Sequence, residues 1–80
     1  MERHEIIEKL TPIVSSIFGV ETVVLSENMS AENTAQWTSL SFMMLLTEIE
    51  NQFGFKFKMM EMLRFKTMGD IITAIESHTV

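Results

Sequence analysis

The sequence predicts a small all-α bundle of three main helices and one short one. Three observations carry this prediction. Apolar residues recur at three- and four-residue spacing in three separate stretches. Glycines and capping residues fall where those stretches stop or start. The one run with two-residue alternation is short and has no strand to pair with. Eighty residues leave room for one domain, read here as residues 1–80, and 46% apolar with 21% charged residues is a globular composition.

The first helix is expected over residues 2–18. Ile6, Ile7, Leu10, Ile13, Val14, Ile17 and Phe18 fill one side at about 100° per residue, and Gly19 follows at the C-cap. Pro12 interrupts this pattern, because it cannot bond to the carbonyl of Glu8. The expectation is a kink, or a helix that restarts with Thr11 as N-cap and Pro12 at the first helical position. Residues 20–37 lack helical period and read as a long loop, with Val23, Val24, Leu25 and Met29 pinning it to the core. A loop this long in a small domain is usually functional.

The second helix spans 39–53, with Gly54 as its stop. Winding it as a regular helix brings Leu45, Ile49, Phe42, Phe53 and Leu46 together on one side, which makes one core stripe. Phe55 and Phe57 then alternate with Lys56 and Lys58, and a brief helical turn is expected over 59–65. The last helix opens with Thr67-Met68-Gly69-Asp70, a capping box with Asp in place of Glu or Gln, and ends near Ser77. Its apolar face is Met68, Ile71, Ile72 and Ile75.

Composition excludes several classes of function. The chain has no cysteine, so neither a disulfide nor a zinc–thiolate site can brace it. Its net charge of −5 argues against nucleic acid and anionic membrane as partners. Tyrosine is absent, and the two histidines, His4 and His78, lie near opposite ends of the chain, where solvent-exposed termini rather than metal ligands are expected. An internal Ser-His-Asp site therefore has little to draw on. No stretch is long and apolar enough to span a membrane, and the charged opening lacks the apolar run of a signal peptide, so cytoplasmic residence is the expectation.

Two features exceed a plain bundle. Leu40, Met43 and Met44 all fall off the core stripe of the second helix, on the sides that a surface helix keeps polar. Either the loop or the short helix covers them, or they form an apolar docking face, for which Met is well suited. Just before them stands Trp37-Thr38-Ser39-Leu40. Ser and Thr are preferred N-caps, but a capping box wants Glu or Gln three residues on, and Thr38 finds Ser41 while Ser39 finds Phe42. A serine where a long loop meets a helix N-terminus is well sited to carry a phosphate ester, because free N–H groups and the dipole favour an anion there.

On these residues the chain resembles the acyl carrier protein and related phosphopantetheine-binding carrier domains. Trp37-Thr38-Ser39-Leu40 is similar to the family's D-S-L signature. Glu48-Ile49-Glu50-Asn51-Gln52-Phe53-Gly54 resembles its acidic run ending in Phe-Gly, and Phe65-Lys66-Thr67-Met68-Gly69-Asp70-Ile71 the segment that opens its last helix. The resemblance implies an acyl-carrier-like four-helix bundle that is not an enzyme. It implies that Ser39 carries covalent 4′-phosphopantetheine from coenzyme A, whose thiol holds acyl or related intermediates as thioesters. It implies a phosphopantetheinyl transferase, an acyl-loading ligase or synthase and acyl-transferring enzymes as partners of a monomer. Trp37, Thr38, Leu40, Met43 and Met44 are the candidate docking residues.

The sequence departs from the family pattern in two places. Thr38 stands where the family has Asp. Residues 39–53 carry only Glu48 and Glu50, a net −2, while 54–66 carry Lys56, Lys58, Arg64 and Lys66 against Glu61, a net +3. The basic cluster reads as a solvated face, with docking the lesser alternative. Partners that find carriers by negative charge would be steered poorly to such a surface, which resembles stand-alone carriers of dedicated pathways. Two other readings stay open: an unmodified carrier-like interaction module, and a small hydrolase using Ser39.

Overall fold

The computed structural model describes all residues 1–80 and contains four helices. These are α1 (Arg3–Phe18), α2 (Ser39–Phe53), α3 (Met59–Met62) and α4 (Met68–His78). No helix is long and apolar enough to cross a membrane. α1 is the common wall and packs against both α2 and α4. Its buried face is Ile6, Leu10, Ile13, Val14 and Phe18, the stripe expected from periodicity. Against it lie Leu45, Leu46 and Ile49 of α2, and Met68, Ile71, Ile72, Ala74 and Ile75 of α4. Phe42 and Phe53 pack on this core while half-buried.

α1 runs through Pro12 unbroken, so the expected restart at Thr11 does not occur. Thr11 spends its hydroxyl on the carbonyl of Ile7 at 2.7 Å, one turn back. Pro12 sits on the exposed side, away from the packed stripe, where its ring displaces nothing. Gly19 and Gly54 end α1 and α2 in the left-handed conformation, at φ 70° and 76°.

The loop between α1 and α2 is tied to the start of α4 by backbone bonds. Met68 donates its N–H to the Met29 carbonyl at 2.8 Å and Gly69 to the Glu27 carbonyl at 2.9 Å. Glycine suits position 69, because a Cβ there would stand 3.2 Å from both the Cβ and the carbonyl oxygen of Glu27, so close that Glu27 would have to give way slightly. Arg3 adds a polar tie across the same junction. It forks onto both Glu27 carboxylate oxygens, at 2.9 and 2.6 Å, and also pairs with Glu76. The hydrogen bond from Arg3 holds the Glu27 carboxyl below its ordinary value. Val23, Leu25 and Met29 pin the loop to the core as expected, but Val24 does not. It is 86% exposed, between two neighbours that pack on the core.

His78 also departs from expectation. It is no free terminus: its ring stacks on Phe55 at 4.4 Å and meets Phe57 edge-on at 5.9 Å. Its Nε2 lies 2.8 and 3.0 Å from the two oxygens of Glu61. Glu61 also accepts the Lys58 N–H at 2.8 Å, closing the cap of α3. That backbone bond, together with His78, lowers the Glu61 carboxyl below its ordinary value. His4, by contrast, is exposed.

The capping box of α4 forms as expected. Thr67 Oγ1 accepts the Asp70 N–H at 3.2 Å, and the Asp70 carboxylate accepts the N–H groups of Lys66 and Thr67 at 2.9 and 3.0 Å. The Lys66 bond, then the Thr67 bonds, hold the Asp70 carboxyl below its ordinary value of 3.8. A depressed native pKa stabilises the fold above the unfolded value and loses that contribution as pH falls through the native one. Asp70→Asn should therefore melt below wild type at pH 7. Thermal melts repeated down to about pH 2 should show the gap closing. A gap that persists undiminished in acid would refute the capping role of the ionised carboxylate.

Candidate functional site

The site is built where the long loop becomes α2. Thr38 is the N-cap, extended at φ −106° and ψ 172°. Its Oγ1 accepts the Ser41 N–H at 3.1 Å, and Ser41 Oγ accepts the Thr38 N–H at 2.8 Å. So the capping box closes, with a Ser hydroxyl in the part usually taken by Glu or Gln. This corrects the expectation that Thr38, finding only Ser41, would be incompletely capped. A hydroxyl suffices because Ser41 lies one turn along, close enough to reach back without a longer side chain. Ser41 precedes Leu45 by four residues, which puts it beside the core stripe, and that spacing is the sequence signal for its burial.

Ser39 is therefore the first residue of α2. It is exposed, and its hydroxyl has no protein partner. First-turn N–H groups of a helix lack intrahelical acceptors and favour an anion. The first turns of α1, α3 and α4 hold Glu5, Glu61 and Asp70, whereas that of α2 holds no acid. A phosphate ester on Ser39 would thus meet no competing carboxylate in that turn. Nor does the site lie in a cleft: none of the surface concavities is lined by Ser39. A hydroxyl so placed is open to reagents from outside. A self-activated serine would need a base, and the histidines pair elsewhere, His4 with Glu2 and His78 with Glu61.

The apolar residues off the core stripe are not covered by the loop or by α3. Leu40 is 71% exposed, Met43 55% and Met44 47%. Met43 and Met44 line a shallow groove with Ile17, Thr47 and Glu48. Thr38 is exposed too, though its hydroxyl is committed to the cap. Trp37 differs from its companions among the candidate docking residues. It is only 8% exposed, because its ring is stacked on Phe42 at 5.8 Å and tilted against Phe18 at 6.3 Å. A large aromatic at the end of an aperiodic loop gains more by closing the core than by facing solvent. Trp37 thus supports the site from beneath and presents no face to a partner.

The charge of α2 is sparser than its sequence suggests. Glu50 turns inward, with a side chain 15% exposed, to accept the Phe57 N–H at 2.8 Å. Glu48 is the other acid on the helix. Lys58, Arg64 and Lys66, from the basic segment that follows, make no ion pair, while Lys56 lies 3.9 Å from Glu50.

Comparison with known proteins adds the family. The family model described as "Phosphopantetheine attachment site" matches residues 8–75. An acyl carrier protein of Coprothermobacter proteolyticus is 30% identical over 78 residues, covering 98% of this chain and 95% of its own. One from Lactobacillus acidophilus is 27% identical over 78 residues, covering 98% of each. The solution structure of a holo acyl carrier protein from Geobacter metallireducens aligns with a TM-score of 0.80 at 31% identity, over 88% of this chain and 80% of that one. A structure from Mycobacterium tuberculosis aligns at 0.82 over 91% of this chain and 97% of that one, but at 20% identity it speaks to fold alone.

The contrast between Trp37 and Met44 can be measured. Trp37→Ala should cost about 3 kcal/mol or more, as emptying an aromatic core position does. Met44→Glu should stay within about 0.5 kcal/mol of wild type, as exposed substitutions do. Denaturant unfolding of both variants decides, and a loss of several kcal/mol at Met44 would show it to be buried.

Proposed function

We infer the work of this chain from its membership: it belongs to the family of acyl carrier proteins that bear a phosphopantetheine attachment site. Covalently bound phosphopantetheine supplies the thiol on which acyl groups ride as thioesters, and this role needs no cysteine from the chain itself.

In our reading Ser39 is the attachment residue. The observation that carries it is the free, exposed hydroxyl at the first position of α2, beside a first turn without acid. The residues around it fit a phosphate ester: Thr38 and Ser41 hold the helix start, and the first-turn N–H groups face an anion favourably. Thr38 in place of the family's Asp keeps the capping function with a neutral side chain.

The docking face in this reading is Leu40, Met43 and Met44, flanked by the exposed Thr38. A phosphopantetheinyl transferase, an acyl-loading ligase or synthase, and acyl-transferring enzymes would use it in turn. Each must release the carrier to the next, so a small interface of modest affinity suits the task. With Glu50 drawn inward, partners meet apolar shape more than negative charge. Association should then depend less on ionic strength than charge-steered docking does. The chain itself does no chemistry in this account, since nothing bonded to Ser39 serves as a base.

Intact-mass measurement after co-expression with a broad-specificity phosphopantetheinyl transferase tests the assignment. Wild type should gain the phosphopantetheine mass and Ser39→Ala should gain none. A wild type that never gains it would leave an unmodified interaction module; a gain in Ser39→Ala would move the attachment elsewhere.

A further inference from the structure

Two consecutive residues are chemically able to end the loop and cap α2. Thr38 and Ser39 are both preferred N-cap types. The fold uses Thr38, which leaves Ser39 as the first helical residue with a free hydroxyl. In a frame shifted by one residue, Ser39 would be the cap. Its hydroxyl would then accept the N–H of Phe42 and turn in toward the helix.

The two frames differ in the residue three positions past the cap. In the Thr38 frame it is Ser41, whose Oγ takes the Thr38 N–H at 2.8 Å. In the Ser39 frame it is Phe42, whose ring cannot accept that bond. Ser41 is the polar residue among the buried ones. Its hydroxyl proton goes to the Gln36 carbonyl at 2.7 Å, two residues ahead of the cap. One hydroxyl thus fastens the last stretch of loop to the first turn of helix. Without it, the Gln36 carbonyl loses that donor, and the Thr38 N–H keeps only its 3.1 Å contact with the same carbonyl. The Ser39 frame loses nothing. The two frames trade one backbone bond, since the Phe42 N–H now held by the Thr38 carbonyl at 2.9 Å would pass to the Ser39 hydroxyl, so the balance between them rests on Ser41.

We propose that Ser41 is a positioning residue: it selects the Thr38 cap frame and so keeps the Ser39 hydroxyl free for modification. This inference rests on Ser39 being the attachment residue. Its consequence is kinetic. Leu40, Met43 and Met44 lie downstream of the cap on a helix that persists in either frame, so a transferase would still dock. What changes is the fraction of docked molecules that present a usable hydroxyl.

The test uses Ser41→Ala and Ser41→Thr in the full chain, with two readouts. Backbone and Cβ carbon shifts at residues 38 and 39 of the unmodified protein report which one is the cap. Loading from coenzyme A by a broad-specificity phosphopantetheinyl transferase gives kcat and KM. Ser41→Ala should raise the Ser39 cap signature to about half of the molecules and lower kcat about twofold with KM unchanged, as loss of a roughly tenfold preference between comparable caps would. Ser41→Thr, whose hydroxyl can both accept the Thr38 N–H and donate to the Gln36 carbonyl, should restore both. A merely destabilising role would lower the melting temperature and leave shifts and kcat alone. A cap signature that stays on Thr38 in Ser41→Ala, or wild-type loading by that variant, overturns the proposal. If Ser39→Ala still gains mass, the attachment reading falls, and the shifts alone decide the cap frame.

Discussion

Burial of the apolar face of α1 is the constraint on which the rest of the molecule depends. Ile6, Leu10 and Val14 are fully buried, and both α2 and α4 lean on that one wall. A domain of this size has little area to bury, so a helix shared by two partners is an efficient use of it. The wall fixes which sides of α2 face inward. Once Leu45 and Ile49 are committed to it, Leu40, Met43 and Met44 have nowhere to go but outward. Their exposure follows from the same helix geometry that forms the core.

Polar groups then settle where the helices begin. α1, α3 and α4 each spend a carboxylate on their own first turn, at Glu5, Glu61 and Asp70. α2 does the same job with two neutral hydroxyls, Thr38 and Ser41. The difference leaves one helix end without negative charge of its own, and Ser39 stands at that end. With Ser39 read as the attachment residue, capping chemistry and carrier chemistry meet at a single turn. The anion-favouring field of that turn is not consumed by the fold.

Much of this is legible in the sequence because it is periodic. The stripes of all three main helices, the glycine stops and the capping box at Asp70 each depend on neighbours within one or two turns. What is not legible depends on residues far apart in the chain. Arg3 reaches Glu27 and Glu76, and His78 reaches Glu61, through pairings that no local pattern announces. Trp37 follows an aperiodic loop, so its direction is set by Phe18 and Phe42 rather than by its position in a repeat. Val24 sits between two residues that point inward, and only the backbone shows that it must point out. Ser41 stands in plain view at the right spacing but is not among the residues usually credited with reaching back.

α3 is joined to this frame differently from the other helices. None of its residues is fully buried; Met62 packs partly on the core, while Met59 and Met60 stand in solvent. Its cap and the His78 contact both converge on Glu61. Such a turn is held by a few hydrogen bonds rather than by packed area, and elements held that way open at far lower cost than the global fold. The α1–α2–α4 frame shares one packed core, while α3 rests beside it on Glu61 and Met62 and is the element whose local opening would cost least.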